Sequence, residues 1–119
     1  MTAIVDVEDF LRQWRDTTLV ERQAIEAGQW DTVAACQERK EDWMRNWPVG
    51  DFDFTTAPRE IRNLMEEIVA LERQNYDQLT VGLENTRQQL EAIGQSRQHL
   101  RQLRRAYGGE RSPAWESWS

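Results

Sequence analysis

Apolar and neutral side chains recur three and four residues apart in the first part of the chain, an interval that places them on one face of an α-helix. This row predicts a helix over about residues 7–27, with Asp6 as its N-cap and Gly28 as its stop signal. The members of the row are Val7, Phe10/Leu11, Trp14, Thr17/Thr18 and Ala24/Ile25. Helix 1 is therefore expected to bury one face, which a charged residue, Glu21, interrupts.

A second row of the same period predicts a helix over about residues 30–46. Its members are Trp30, Val33, Cys36/Gln37, Lys40, Trp43/Met44 and Trp47. Gly28 and Gln29 are the whole link to helix 1, and a link this short forces two helices into an antiparallel hairpin. Residues 48–56 then break the period and predict a loop. Phe52 and Phe54 in this loop would either pin it to the core or form a strand-like edge, for which no second strand is predicted.

The third predicted helix is the longest and runs over about residues 57–106, with Thr56 as its candidate cap. Positions alternately three and four residues apart along this helix form a row with the spacing of a coiled-coil seam. The row is Ile61, Leu64, Ile68, Leu71, Asn75, Leu79, Gly82, Thr86, Leu90, Ile93, Arg97, Leu100, Leu103/Arg104 and Tyr107. A continuous helix would extend about 75 Å, against about 30 Å for helix 1. We expect either a break near Gly82 or Gly94, or a second half that projects and needs another chain to cover it.

Polar residues within this seam leave two interpretations open. Asn75, Gly82 and Thr86 occupy positions where a stable coiled coil prefers Leu or Ile. Either Asn75 sets the register and Gly82 and Thr86 are tolerated defects, or all three weaken the stripe so that an incoming helix can bind. Residues 108–119 are expected to form a flexible tail, whose Trp115 and Trp118 either remain disordered or dock on the chain's own groove.

Composition and charge narrow the class of protein. The 119 residues are 30% charged but include six Trp, and this apolar area together with the periodicity favours an ordered helical domain over disorder. The net charge of −6 argues against binding to nucleic acid as the main activity. The single cysteine fits a reducing compartment, and neither a membrane span nor a signal peptide is predicted, so we expect a cytoplasmic protein.

Candidate chemistry is sparse. His99, the one histidine, is predicted to lie on the surface, with no partner at the spacing of a zinc site. Cys36 is expected to be a small core residue rather than a nucleophile. The carboxylates of helix 3, Glu72 among them, are expected to pair with nearby arginines at helical spacing, and no glycine-rich phosphate loop is present. No catalytic residue, metal ligand or cofactor is therefore predicted, and an enzyme or metal-binding bundle remains the least favoured alternative.

These observations predict an all-α fold in which an antiparallel helical hairpin and a long third helix form a three-helix bundle with coiled-coil character. A single domain over residues 1–107 accounts for all three helices. Because the apolar stripe of helix 3 is longer than the hairpin that could cover it, the sequence indicates a protein that works by binding another protein.

Several segments, in order, resemble the flagellar type III export chaperones of the FlgN/FliT-like family. Residues 19–33, LVERQAIEAGQWDTV, and residues 37–40, QERK, look like the helical hairpin of that family. Residues 71–75, LERQN, resemble its asparagine-bearing central helix, and residues 104–108, RRAYG, resemble its C-terminal tyrosine-glycine end. The turn differs, since it reads Gly28-Gln29 where an acidic cap is more usual, and the Trp-rich tail has no counterpart.

This resemblance implies a cytoplasmic, non-enzymatic chaperone that holds a hook–filament junction protein or the filament-cap protein until export. The client would lay an amphipathic C-terminal helix along the exposed stripe of helix 3. The residues expected to bind the client are Asn75, Leu79, Leu83, Thr86, Leu90, Ile93, Leu100 and Leu103. Tyr107 would match the family's tyrosine that contacts the export gate. The alternative from the residues alone is a scaffold in which helix 3 pairs with a copy of itself, as a homodimer or larger oligomer.

Overall fold

The computed structural model describes residues 4–81 and 86–108, and within these ranges it contains four α-helices and no strand. Helix α1 runs Ile4–Ala27, α2 Trp30–Arg45, α3 Arg59–Val81 and α4 Arg87–Gly108. The all-helical class is confirmed. Helix α1 begins before the predicted start, so Asp6 lies in its first turn rather than at its N-cap.

The predicted turn between the first two helices is confirmed, and Gly28 carries it. Gly28 adopts φ 68°, a left-handed conformation that glycine reaches without a Cβ clash. The N–H of Gln29 donates to Ala24 O at 2.8 Å and the N–H of Gly28 to Ile25 O at 3.2 Å, which is the pattern of a Schellman C-cap. The cap of α2 is weak, because the Gln29 side chain forms no capping hydrogen bond. Backbone bonds at Gly28 thus reverse the chain and form the hairpin.

The predicted count of three helices is wrong, and of the two alternatives for the long third helix the structure has the break, since α3 ends at Val81 and α4 begins at Arg87. Thr86 is not helical, and its Oγ1 accepts a hydrogen bond from the Gln89 N–H at 3.0 Å, so that it N-caps a separate helix α4. Helix α4 then packs back against α3 and α2, and the molecule is 43 Å long rather than the 75 Å of a single helix. The apolar stripe that was expected to project is therefore largely buried within the same chain.

The four helices form a bundle in the spatial order α1, α2, α4, α3. Contacts of Arg15 with Glu67 and of Arg22 with Gln74 advance together along α1 and α3, so these two helices are parallel. Contacts of Tyr107 with Glu66 and of Arg97 with Tyr76 run in opposite directions, so α3 and α4 are antiparallel. The chain from α2 to α3 crosses one end of the bundle, and its Val49 and Phe54 are buried there.

Aromatic side chains fill the core at this end. The ring centroid of Phe10 lies 5.5 Å from those of both Trp43 and Trp47, edge to face in each case. The Trp14 ring stacks on that of Trp43, with centroids 5.6 Å apart. Phe54 is buried in the same core cluster and Phe52 packs against it, so the loop is pinned to the core. No helix among the described residues is long and apolar enough to cross a membrane.

Candidate functional site

The middle of the bundle holds charged and polar side chains instead of a continuous apolar core. We call this group the buried polar cluster; its members are Trp14, Thr18, Glu21, Lys40, Glu72, Asn75 and His99. Each of these residues is at most 1% exposed. They come from all four helices, one position each from α2 and α4, two from α3 and three from α1.

Lys40 is the centre of the cluster. Its Nζ lies 2.8 Å from Glu21 Oε1 and 2.7 Å from Glu72 Oε2. Trp14 Nε1 donates a second hydrogen bond to Glu72 Oε2 at 2.7 Å. A lysine on α2 therefore joins a carboxylate of α1 to a carboxylate of α3, and charge-assisted hydrogen bonds such as these are the strongest that side chains form.

Asn75 and Thr18 complete the link between α1 and α3. The Nδ2 of Asn75 donates to Thr18 O at 3.0 Å and to Glu21 Oε1 at 3.1 Å. The Thr18 hydroxyl lies 2.8 Å from Trp14 O and 3.3 Å from Glu72 Oε2. Asn75 is therefore engaged inside the bundle, and it fixes the register between the two parallel helices.

The charge of Lys40 is maintained in spite of its burial. Burial, the largest single influence, favours the neutral amine, but Glu72 and Glu21 together outweigh it and raise the pKa of Lys40 above its ordinary value. The ammonium has no lone pair for nucleophilic chemistry. The arrangement therefore serves to orient three helices relative to one another.

His99 is buried, and its predicted place on the surface is wrong. The ring has no exposed area and packs edge to face on Trp14, with centroids 6.0 Å apart. Within the described ranges neither ring nitrogen has a hydrogen-bond partner. Burial lowers the pKa of His99 to about 3, and the charge of Lys40 adds to the effect. The imidazole is consequently neutral at physiological pH.

The residues expected to bind a client are mostly core residues. Those buried are Asn75, Leu79, Leu100 and Leu103. Ile93 is half-buried, and the half-buried Thr86 caps α4. Leu90 alone among the described members exposes a large apolar area, at 57%. Gly82, Leu83 and the predicted tail with Trp115 and Trp118 lie outside the described residues. The structure therefore does not bring these residues together as one open stripe.

Tyr107, the expected contact with an export gate, is also buried at the end of α4. It is 5% exposed, and its hydroxyl donates to Glu66 Oε2 at 2.6 Å. A tyrosine in this position cannot offer its ring to another protein unless the end of α4 moves away from α3.

The sequence carried a signal for the buried polar cluster that the helical rows obscured. Glu21 interrupts the apolar face of α1, and Lys40 lies within the apolar row of α2. A charged residue inside an apolar row is stable only with a partner, and an acid and a base on adjacent helices are natural partners. Glu72 was assigned to local arginines on α3, but it pairs across the bundle with Lys40.

The outer surface between α2 and α4 forms an open depression, which we call the α2–α4 groove. Its volume is about 430 Å³. Its floor is formed by Trp30, Val33, Ala34, Gln37 and Ala92. Its rim is formed by Asp31, Glu38, Glu41 and Arg45 on α2, and by Gln88, Glu91 and Gln95 on α4. The amide of Gln37 donates to Ala92 O at 3.0 Å and so joins the two helices beneath the groove.

Cys36 is buried as expected, and burial, with the nearby Glu21, raises the pKa of its thiol. Across the described residues no three of the His, Cys, Asp and Glu side chains are grouped as metal ligands.

Comparisons of this chain with protein-family models, with curated proteins and with solved structures found no match.

Proposed function

We propose that this protein is a non-enzymatic chaperone that binds a hook–filament junction protein or the filament-cap protein before flagellar export. The observation that supports the proposal best is the distribution of polar groups. The charged side chains of the interior, Lys40, Glu21 and Glu72, pair with one another across three helices, whereas the surface carries an open groove rimmed by carboxylates. This distribution fits a protein that acts through its surface. The resemblance of residues 19–40, 71–75 and 104–108 to the export chaperones gives the class of client.

A mixing experiment with purified proteins tests this function. A hook–filament junction protein and a filament-cap protein from a flagellated bacterium would each be combined with this chain and followed by light scattering. We expect a complex of defined stoichiometry and slower self-association of the client. A chain that forms no complex with either client and leaves their assembly unchanged would contradict the proposal.

Two exposed leucines provide a matched pair of variants for this experiment. Leu90 on α4 belongs to the predicted client-binding set and is 57% exposed, whereas Leu19 on α1 does not belong to it and is 38% exposed. Leu90→Asp is expected to weaken the complex and Leu19→Asp to leave it unchanged. Equal loss in both variants would show that Leu90 has no specific part in client binding.

A further inference from the structure

We propose that the α2–α4 groove is a docking site for a basic, amphipathic helix supplied by a partner protein. The inference rests on the proposed function only in assuming that this chain binds another protein. It assigns a place and a partner chemistry that differ from the predicted stripe, most of which is buried.

The charges on the rim favour a cationic partner. Asp31, Glu38 and Glu41 line the groove and form no ion pair with any residue in the described ranges. The two other charged residues of the rim are already paired, since Glu91 on α4 contacts Arg87 at 3.2 Å and Arg45 on α2 contacts Asp42. Three carboxylates are therefore available to lysines or arginines without the loss of an existing pair.

The floor of the groove favours a partner that also carries apolar side chains. Val33 and Ala92 are buried in a small apolar group with Ala24 and Leu79, and Trp30 packs against that group while it remains partly exposed. Small side chains at Ala34 and Ala92 leave space above the floor. An indole beside Asp31 also suits a guanidinium, which can stack on the ring and pair with the carboxylate.

The dimensions of the groove fit a helix. Residues 31–45 of α2 define one rim over about 21 Å, or about four helical turns of a partner, and residues 88–95 of α4 define the other over about 10 Å, so that about two turns would contact both rims. A helix laid between two parallel helices would place one apolar stripe on the floor and its flanking basic residues against the two rims. A second copy of this chain is a poorer occupant, because two chains of net charge −6 repel one another.

Peptide binding tests the inference. The probe is a fluorescein-labelled, 15-residue helical peptide of about four turns, with leucines on one face and lysines and arginines beside them. Its twin carries glutamate at every basic position. Fluorescence anisotropy at 150 mM salt should give at least about tenfold tighter binding for the basic peptide, since glutamate at every basic position replaces attraction to the three rim carboxylates with repulsion. Equal binding of the two peptides would overturn the inference.

Variants locate the binding. Glu38→Lys combined with Glu41→Lys should weaken binding of the basic peptide at least about tenfold. Asp51→Lys combined with Glu60→Lys makes the same change in net charge at exposed positions outside the groove, and it should change the affinity by less than about threefold because distant surface charges are screened. Ala34→Gln fills the groove without a charge and should also weaken binding. If Ala34→Gln kept the wild-type affinity for the basic peptide, or if both double variants lost the same affinity, the peptide would not bind in the groove and the inference would be overturned.

The oligomeric state and the client complex separate the remaining outcomes. Light scattering across a dilution series should show that the wild type and the groove variants are all monomers. A dimer that Glu38→Lys with Glu41→Lys disrupts would assign the groove to a second copy and overturn the inference.

Client binding without peptide binding would refute the groove but not the chaperone function. Peptide binding without client binding would refute the chaperone function but not the groove. Circular dichroism of every variant establishes that it is folded.

Discussion

The ammonium of Lys40 lies 2.7 Å from Glu72 Oε2, and neither side chain has any exposed surface. Two helices that are far apart in sequence are thus joined by a salt bridge that water does not reach. A buried ion pair adds little net stability compared with a well-packed apolar pair, but removal of one partner leaves an uncompensated charge. The pair therefore serves mainly to fix how α2 and α3 are aligned.

Loss of the lysine should cost more than loss of either carboxylate charge. Lys40→Met leaves Glu21 and Glu72 buried without a cation and should reduce the free energy of unfolding by about 3–5 kcal/mol. Glu72→Gln retains the Lys40–Glu21 pair and an oxygen that accepts from Trp14, so it should cost only about 1–2 kcal/mol. Urea unfolding followed by circular dichroism measures both changes.

The exposed pair of Arg12 and Glu8 on α1 is the control for this comparison. Arg12→Ala should leave the urea unfolding midpoint close to that of the wild type, because solvent screens a surface pair. If Lys40→Met cost no more than Arg12→Ala, the buried pair would not be formed in solution.

His99 should make the protein less stable as the pH falls. The folded protein holds the pKa of His99 at about 3, whereas the unfolded chain has the ordinary value near 6.5, so the unfolded state binds the proton first. The stability that neutral His99 contributes is fully present above pH 6.5 and is lost as the pH falls towards 3. Between pH 7.5 and 5 this one group should remove about 2 kcal/mol from the free energy of unfolding.

His99→Phe isolates this contribution, since phenylalanine keeps a ring against Trp14 but does not titrate. The variant should lose about 2 kcal/mol less than the wild type over the same pH interval. Few carboxylates titrate above pH 5, so the difference between the two chains belongs mainly to His99. Parallel pH profiles for the two proteins would mean that His99 is exposed and titrates normally.

The hairpin and the rows of α1, α2 and α3 could be predicted because local spacing determines them. Ile61, Leu64 and Ile68 lie on the predicted row and are buried. The row fails only in the first part of α4, where the buried positions Ala92, Ser96 and His99 lie one residue before the predicted ones, whereas Leu100, Leu103 and Tyr107 lie on the row and are buried. A new helix starts at Thr86, and a new start is free to turn a different face towards the core.

The break itself had a local signal. Thr86 and Gln89 have the spacing of a capping box, in which a threonine N-cap is followed three residues later by glutamine or glutamate. The long apolar row outweighed that signal in the prediction. The buried polar cluster was harder to predict. Lys40 and Glu72 are 32 positions apart in the sequence and meet only because α2 and α3 pack in the same bundle, and no local pattern determines such packing.

Gly28, beside α1, and Gly94, within α4, should respond to alanine with opposite signs. Gly28 has φ 68°, so Gly28→Ala should cost about 1 kcal/mol in backbone strain although no atom blocks its Cβ. Gly94 lies within α4 with open space around a Cβ, so Gly94→Ala should raise the free energy of unfolding by about 0.5–1 kcal/mol. Thermal and urea unfolding of both variants would check this. Effects of the same sign would contradict the turn at Gly28 or the helix at Gly94.

The cap at Thr86 should control the stability of α4. Thr86→Ala removes the oxygen that accepts from Gln89 N–H and should cost about 1 kcal/mol, whereas Thr86→Ser keeps an oxygen there and should cost much less. Amide hydrogen exchange distinguishes the cap from a general loss of stability. Faster exchange concentrated in the first turns of α4, with unchanged exchange in α1, is expected. If alanine at residue 86 left exchange unaltered or stabilised the protein, a helix continuous from α3 into α4 would describe the chain better than two helices separated at Thr86.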